Sequence, residues 1–412
     1  MVSSKALTAV SLVMPIQMLM ISLSVGSGVG VNSLIARRLG AKRQREADQA
    51  ASTALRIGVF NYAVFLLVGI FLAKPFMSSY TDDAAIFEGG LVYLRIITIG
   101  SLASMVEIQL EKVLQATGNM VGPMIISLSG AVTNLILDPI LIFGLCGMPK
   151  MGVAGAALAT VIGQFVAMFV AVFMIFKYEH DVEVKLRGFK LDWQVVKDIY
   201  GVGFPSIIMQ SIGSVMLLGY NAILAASAAA VAVLGIYFKL QSFIFMPVFG
   251  LNNGITPIIA FNYGAQNRKR MVKTIKVSLI TAFCLLFVGF ACFEFIPQVL
   301  LGMFSASDDM LQIGVPALRI IGVHFLIAWF CIIVGTVFQA LGKAVFSMIV
   351  SIMRQLVVLI PAAYILSKLG GLHAVWWAFP IAEVISFTVS TLFLIRINRT
   401  IISKIPDGSD VL

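Results

Sequence analysis

Leu94-Arg-Ile-Ile97 and Gln115-Ala-Thr-Gly118 return 224 residues later as Leu318-Arg-Ile-Ile321 and Gln339-Ala-Leu-Gly342. The same offset pairs Gln17 with Gln241 and holds without a gap over residues 6–142. A fixed internal offset is the signature of a duplicated architecture. The second copy opens with an apolar helix at about 204–224 whose partner would lie before Met1. We therefore expect two copies of one unit, the first lacking its first helix.

The composition predicts an all-α integral membrane protein. Hydrophobic residues make up 60% of the 412 residues and charged residues 12%, against about 25% charged residues in a soluble domain. Apolar runs of about 20 residues are long enough to span a bilayer as helices, and they lack the alternation of barrel strands. Eleven transmembrane helices are predicted, at 6–36, 52–73, 89–115, 120–143, 153–176, 201–225, 228–261, 275–296, 313–341, 344–366 and 374–397.

The net charge of +10 is distributed loop by loop. Basic residues concentrate at 37–45, 177–197, 268–273 and 396–404, and the alternate loops hold few of them. This is the positive-inside pattern of a multi-pass protein, and it argues against a nucleic-acid-binding face. It predicts a plasma (inner) membrane protein with a cytoplasmic C-terminus and, with eleven spans, an N-terminus outside.

The spans group into two lobes. We predict an N-terminal lobe of five spans at 1–176, a cytoplasmic linker at 177–200, a C-terminal lobe of six spans at 201–397 and a cytoplasmic tail at 398–412. Residues 191–200 of the linker predict a short amphipathic helix capped by Asp192, with Trp193, Val196 and Ile199 towards the membrane. Two full copies of six spans would be parallel repeats, an arrangement that secondary transporters use.

Asn134 and Asp138 are the leading candidates for a functional site. They lie at i and i+4 in the fourth predicted span, so they share one helix face. A charge at the centre of a membrane helix costs roughly 2.5–3.5 kcal/mol on insertion scales, so it usually faces a cavity or a partner. Asp138 is therefore expected to bind a proton, or a cation through oxygen ligands. The alternative is an inert, hydrogen-bonded aspartate near the outer interface.

Other polar residues in the spans are candidates for a substrate cavity. Glu107 and Glu111 share a face of the third span, where the alternative is interfacial charge pairing. Gln17 and Gln241 occupy equivalent places in the two copies; the alternative is a helix-packing role. Glu383 could instead anchor Arg354, a lone charge in a neighbouring span.

No sequence pattern points to an enzyme. The four cysteines have no metal-ligand spacing, and no nucleophile is paired with a base. His324, alone in an apolar span, favours packing. We expect no catalytic residue and no cofactor.

Several quoted stretches together resemble the multidrug and toxin extrusion (MATE) transporters of the bacterial type. The resemblance covers nearly the whole chain and combines the doubled pattern with a set of short motifs. These motifs are Gly40-Ala41 and Asn262-Tyr-Gly-Ala265, each followed by basic residues, Leu114-Gln-Ala-Thr-Gly-Asn119, Gly201-Val-Gly-Phe-Pro-Ser206 and Ala378-Phe-Pro-Ile-Ala-Glu383.

The resemblance implies twelve helices in two six-helix lobes that alternate access. It implies antiport, the export of organic cations (xenobiotics) driven by H⁺ or Na⁺ entry, with membrane lipid as a further partner and the oligomeric state left open. In many bacterial members the cation site combines an aspartate on the first helix, an Asn-x-x-x-Asp pair on the fifth and a threonine on the sixth. Asn134 and Asp138 match the pair, and Thr160 matches the threonine. Na⁺ could bind at Asp138 and Asn134. The first-helix aspartate has no counterpart in this sequence.

Two alternative functions stay open. A lipid-linked saccharide flippase of the same superfold would need several inward basic residues, for which Arg56, Lys239 and Arg354 are the candidates. A transport-impaired, truncated MATE homologue would follow from the absence of the first helix.

Overall fold

The computed structural model describes residues 4–185 and 192–406, and within these residues the chain is helical and has no strand. Residues 186–191 and 407–412, parts of the predicted linker and tail, lie outside the described residues. The helices are α1 Ser4–Gly40, α2 Gln44–Leu67, α3 Ala73–Ser78, α4 Ala84–Ile99, α5 Leu102–Ala116, α6 Val121–Phe143, α7 Val153–Tyr178, α8 Trp193–Leu224, α9 Ala228–Gly264, α10 Arg268–Phe295, α11 Pro297–Gly302, α12 Asp308–Gly322, α13 Phe325–Ala340, α14 Ala344–Ile352, α15 Ile360–Val375 and α16 Ala378–Thr400. Two π-helical segments, Val68–Leu72 and Met353–Leu359, continue α2 into α3 and α14 into α15.

The helices confirm the predicted eleven spans. Among the described residues, nine helices are long and apolar enough to cross a membrane. Two further spans are broken: α4 and α5 meet at 45°, and α12 and α13 meet at 50°. Because the two breaks lie 223 residues apart, within one residue of the sequence offset, the duplication seen in the sequence is present in the fold.

The duplication extends to helix capping. Asp83 caps α4 by accepting the backbone N–H groups of Ala85 at 2.9 Å and Ile86 at 3.3 Å. At the equivalent place, 224 residues on, Ser307 caps α12 by accepting the N–H of Met310 at 3.4 Å. Capping side chains satisfy N–H groups that a helix leaves unpaired at its start. Asp83 also accepts from the Lys5 ammonium at 2.7 Å, which lowers the pKa of the aspartate.

The described residues form two compact units. The first contains residues 4–39 and 43–207, and the second contains residues 40–42 and 208–406. The first unit has a buried apolar core that includes Leu34, Val113, Ala171 and Ile199. The predicted lobe limits of 1–176 and 201–397 stay a prediction.

The start of α8 differs from the short linker helix that the sequence predicts. Asp192 accepts the N–H of Gln194 at 2.8 Å, and the helix then continues unbroken into the sixth span. Trp193 is 68% exposed, but Ile199 is fully buried instead of facing the membrane. A β-carbon on Gly30 would collide with the Ile199 carbonyl oxygen, so α1 and α8 pack with their backbones together.

Residues 179–185, which we call the strap, lie along one side of α2. Gln44 donates to the Asp181 carbonyl at 2.6 Å, Asp48 accepts the Glu183 N–H at 2.9 Å, and Ser52 accepts the Lys185 N–H at 3.0 Å. These α2 residues are spaced by four and share one face. The intervening Val182 and Val184 are buried in the core of the first unit.

Glu179 begins the strap and joins it to the end of α5. Its carboxylate accepts the Thr117 hydroxyl at 2.9 Å and the Asp181 N–H at 3.0 Å. Burial nevertheless raises the pKa of Glu179, because desolvation outweighs these two hydrogen bonds.

Candidate ion-coupling site

Close packing of α6 against α7 positions the candidate site. A β-carbon on Gly163 would lie 2.8 Å from the Gly130 carbonyl oxygen, and one on Gly155 would lie 2.5 Å from the Leu141 carbonyl oxygen. Small residues allow membrane helices to approach to backbone contact. The two contacts also fix the antiparallel register, which sets Asn134 opposite Thr160.

The loop between α6 and α7 holds the same register. Gly144 ends α6 with φ 75°, a left-handed conformation that glycine adopts without steric cost. The chain then folds back, so that Met151 donates its N–H to the Leu141 carbonyl at 3.0 Å and Gly152 donates to Ile142 at 3.2 Å. These bonds leave little freedom for α7 to slide along α6.

Asn134 and Thr160, predicted from separate parts of the sequence, lie together. The Asn134 amide donates to the Thr160 hydroxyl oxygen at 3.4 Å, and that hydroxyl donates to the Ala156 carbonyl at 3.0 Å. Asn134 uses its amide N–H group in this contact, and within the described residues its Oδ1 atom accepts no hydrogen bond. Both residues are half-buried.

Asp138 lies one turn along α6 from Asn134, on the same face, and is half-buried. Within the part of the chain that the structure describes, its carboxylate makes no hydrogen bond and no ion pair. Tyr93 on α4 interacts electrostatically with Asp138. The sequence reasoning missed Tyr93 because an aromatic residue in an apolar span suggests packing. An unpaired carboxylate inside a membrane helix is a functional-site hypothesis.

Glu111 lies apart from this group. It accepts the Ser127 hydroxyl at 2.5 Å, and Ser127 precedes Asp138 by 11 residues on α6, which corresponds to about 16 Å along a helix. Glu107 and Glu111 are both half-buried on α5. The structure therefore does not bring Glu111 to Asn134 and Asp138.

Gln17 and Gln241 are both partly exposed, Gln17 on α1 in the first unit and Gln241 on α9 in the second. Over residues 4–185 and 192–406, neither side chain makes a hydrogen bond to the protein. The alternative role in helix packing therefore has no hydrogen bond to support it.

Glu383 lies inside the second unit and is 2% exposed. Its Oε2 atom pairs with the Arg354 guanidinium at 3.4 Å. The anchoring of Arg354 that the sequence raised as an alternative is present, and the substrate-cavity role of Glu383 stays a prediction.

A polar core in the first unit was also missed by the sequence reasoning. Gln109 donates to the Ser24 carbonyl and to the Ser27 hydroxyl, both at 3.0 Å, and Asn61 donates to the same hydroxyl at 3.3 Å. Nearby, the buried Lys112 ammonium donates to Gln115 at 2.8 Å. These residues come from three helices, and their wide separation in sequence gives no signal.

Asp138, Asn134 and Thr160 stay a predicted site for a small cation. A carboxylate, an amide oxygen and a hydroxyl are the oxygen ligands that hard cations prefer, and a lone carboxylate can equally take a proton. Among the described residues, no group of three or more His, Cys, Asp or Glu side chains could hold a metal ion.

Comparisons with known proteins agree with this architecture. The MatE family model matches residues 1–140 and 203–365. The chain is 27% identical over 408 residues to the multidrug export protein MepA of Staphylococcus saprophyticus, covering 97% of this chain and 88% of that protein. It is 28% identical over 401 residues to MepA of Staphylococcus aureus strain MSSA476, with the same coverage.

Solved structures give the same result. An outward-facing multidrug resistance MATE family transporter of the MOP superfamily superposes with a TM-score of 0.90 at 26% identity, over 98% of this chain and 90% of that one. A MOP superfamily transporter from Pyrococcus furiosus, described as having a binding pocket of reverse polarity, superposes with a TM-score of 0.87 at 25% identity, with the same coverage. The chain is thus a multi-pass membrane transporter and belongs to the MatE family.

Proposed function

We propose that this protein is a secondary active multidrug efflux antiporter that exports organic cations in exchange for H⁺ or Na⁺ by alternating access. The observation that carries the proposal is Asp138, whose carboxylate has no hydrogen-bond or ion-pair partner within residues 4–185 and 192–406 and lies one turn from the Asn134–Thr160 pair. The multidrug names of the relatives support the substrate class.

Ion binding and substrate binding are coupled through the states they favour. H⁺ would bind to the Asp138 carboxylate, whereas Na⁺ would use the same carboxylate with the oxygens of Asn134 and Thr160. Each ligand shifts the conformational equilibrium only by its differential affinity for the two states. A tenfold difference in affinity corresponds to about 1.4 kcal/mol.

Efflux of a cationic dye from energised vesicles tests the role of Asp138. We expect Asp138→Asn to abolish ion-driven efflux, because the neutral amide cannot exchange a proton or balance a cation. Asp83→Asn is the matched control, since Asp83 is a carboxylate at the start of α4 that caps the helix. Unchanged efflux by Asp138→Asn in folded protein would contradict the proposal.

The same vesicles separate the two coupling ions. An imposed pH gradient without Na⁺ drives efflux if the ion is H⁺, and a Na⁺ gradient at equal pH drives it if the ion is Na⁺. A purified chain that moves a lipid-linked saccharide instead of the dye would be a flippase, and one that moves neither would be a transport-impaired homologue. Either result would overturn the antiport proposal.

We propose substrate contacts for Gln17, Gln241 and Glu111 individually. The partial exposure of both glutamines and their lack of a hydrogen bond in the described protein support this role. Gln17→Leu and Gln241→Leu should change the apparent KM for dyes and leave the dependence on the driving ion unchanged.

The proposed site of action is the plasma membrane, with the C-terminus in the cytoplasm. The alternation of basic loops supports this orientation. A C-terminal reporter that is active only in the cytoplasm tests it, and a reporter that is active only outside would contradict it.

A further inference from the structure

Helix α10 of the second unit has two sides of different character. It packs against α9, α12 and α13 through a buried face that includes Met271, Leu286 and Phe293. On its other side, residues recur at intervals of four and three, so they form one continuous stripe along the helix. We call it the α10 stripe; in chain order its members are Lys269, Lys273, Lys276, Ile280, Phe283 and Phe287.

The α10 stripe is exposed along its whole length and changes from cationic to apolar. The three lysines lie in the first three turns of the helix and are all exposed. Beyond them, Ile280 is 65% exposed, Phe283 39% and Phe287 48%. Each half covers seven residues, or about 10 Å of helix. A cationic end followed by an apolar length matches the boundary between the headgroups and the hydrocarbon of a bilayer leaflet.

The lysines begin α10 in a strongly cationic environment. Arg268 and Arg270 flank Lys269 in the first turn of α10, which contains no acidic residue. The N-terminus of a helix carries partial positive charge, so cations there are unfavourable and an anion is stabilising. The acids among residues 208–406 lie at the other end of α10, at the start of α12 or inside the unit, and they are Glu294, Asp308, Asp309 and Glu383.

The end of α16 brings further cations to the same place. The Arg268 N–H donates to the Pro406 carbonyl at 3.4 Å, which joins the segment after α16 to the start of α10. Lys404, just before this contact, is exposed. Over residues 4–185 and 192–406, Lys273 and Lys276 form no ion pair. The basic end of α10 therefore holds more positive charge than the described part of the second unit balances.

The first unit differs in its charge balance. Within 37–48 and 177–198, the described residues of that unit include seven basic and seven acidic residues. Within 264–276 and 396–406 of the second unit, eight basic residues are present and no acidic one. The excess of positive charge is thus a property of one unit and not of both copies.

The repeat shows what covers the equivalent surface in the first unit. At the offset of 224, Lys273 corresponds to Gln49 and Lys276 to Ser52, both on α2. Gln49 donates to the Asp192 carboxylate at 3.4 Å, and Ser52 accepts a backbone N–H of the strap at 3.0 Å. The chain's own linker therefore covers this surface in the first unit. In the second unit, no described segment covers the two lysines, which are exposed.

We propose that the α10 stripe binds one anionic phospholipid. The phosphate lies among Lys269, Lys273 and Lys276, and an acyl chain lies along Ile280 and the two phenylalanines. Clusters of basic residues next to a membrane span attract anionic lipid headgroups, and the lipid supplies the negative charge that this end of the unit lacks. The inference concerns lipid binding alone, so it does not depend on the proposed antiport.

Native mass spectrometry of the purified full chain in detergent tests the proposal. The chain is titrated with dioleoyl phosphatidylglycerol, which is anionic, or with dioleoyl phosphatidylcholine, which has the same acyl chains and no net charge. Each basic residue near an anionic surface contributes roughly a fivefold preference. We therefore expect the first phosphatidylglycerol to bind about 100-fold more tightly than phosphatidylcholine, and Lys269→Gln/Lys273→Gln/Lys276→Gln to remove this preference.

A matched variant of the first unit controls for total charge. Arg43→Gln/Arg45→Gln/Lys177→Gln also removes three exposed basic residues, and it should keep the preference for phosphatidylglycerol. If the α10 variant keeps the preference, or if both variants lose it equally, the proposal is refuted. Because all six side chains are exposed, both variants should fold, and equal melting temperatures without added lipid check this.

Two further measurements separate a lipid from a free anion. Ile280→Ala/Phe287→Ala keeps the lysines and should weaken the binding of phosphatidylglycerol, because the acyl chain loses its apolar contact. Phosphatidylglycerol should raise the melting temperature of the unsubstituted chain, and inorganic phosphate at the same concentration should not. If phosphate has the same effect, or if the apolar variant binds the lipid unchanged, the lysines bind a free anion and the lipid proposal is overturned.

Discussion

Gly163→Ala is the sharpest test of how the candidate site is held. The new β-carbon would lie 2.8 Å from the Gly130 carbonyl oxygen and 3.2 Å from the Asn134 β-carbon. Ordinary contact begins at 3.4 Å, so α6 and α7 must separate locally by the difference between 3.4 and 2.8 Å, about 0.6 Å. Overpacking of this kind costs roughly 1–3 kcal/mol. The Asn134–Thr160 hydrogen bond, already 3.4 Å long, would be lost.

Thermal unfolding in detergent measures this cost. At roughly 2–4 °C per kcal/mol for a domain of 150–250 residues, we expect the melting temperature to fall by about 2–12 °C. The shift in melting temperature on adding the coupling ion, Na⁺ or acid, should also shrink, because the oxygen ligands move apart. Gly235→Ala is the matched control, since a β-carbon there has nothing within 4 Å. If both variants melt together and respond equally to the ion, the proposed role of close packing is refuted.

Three further predictions concern single contacts. Thr160→Val should cost about 0.5–1.5 kcal/mol through the lost hydrogen bond to Asn134 and weaken ion-dependent stabilisation in melting experiments, whereas Thr160→Ser should keep both. Glu179→Gln should raise the melting temperature at alkaline pH and change it little at acidic pH. Burial raises the pKa of Glu179, so the folded chain binds this proton more tightly than the unfolded chain does. The stability of the native protein therefore falls as pH rises through the folded pKa, and the glutamine avoids this loss. An equal shift at both pH values would contradict this. Arg38→Gln removes partly exposed ion pairs to Glu46 at 2.7 Å and Asp198 at 3.1 Å. It should lower the free energy of unfolding by no more than about 1 kcal/mol. An effect that persists undiminished in high salt would refute an electrostatic origin.

The sequence was sufficient for the architecture because each span is a long apolar run and the offset of 224 repeats whole elements. The i, i+4 spacing of Asn134 and Asp138 likewise predicts their common helix face, because that face depends on local geometry alone. The start of α8 was misjudged because polar residues at 193–200 resemble an interfacial helix. Their burial depends on Gly30, more than 160 residues earlier, which lets α1 approach Ile199.

Contacts between helices that are distant in sequence explain the remaining differences between the sequence-based predictions and the structure. Tyr93 interacts electrostatically with Asp138 because α4 packs against α7, which packs against α6. The polar core around Gln109 and the Arg354–Glu383 pair are likewise formed by polar residues that are isolated in sequence. Thr160 was identified only through the family resemblance, since a threonine in an apolar span carries no pattern of its own.

The strap places the described part of the polar linker in the first unit, which determines where the chain can be divided. Lys185 at its end and Asp192 beyond the undescribed residues both belong to the first unit, and the chain passes to the second unit inside α8, between Ile207 and Ile208. A cut in the chain at 186–191 would therefore divide the first unit internally. It would leave α8, through which the chain passes to the second unit, unbroken. Fragments 1–185 and 192–412, co-expressed from separate cistrons, should assemble and copurify. A cut at 207–208 would divide a membrane helix and should fail, so the natural place to split this transporter is within its first half.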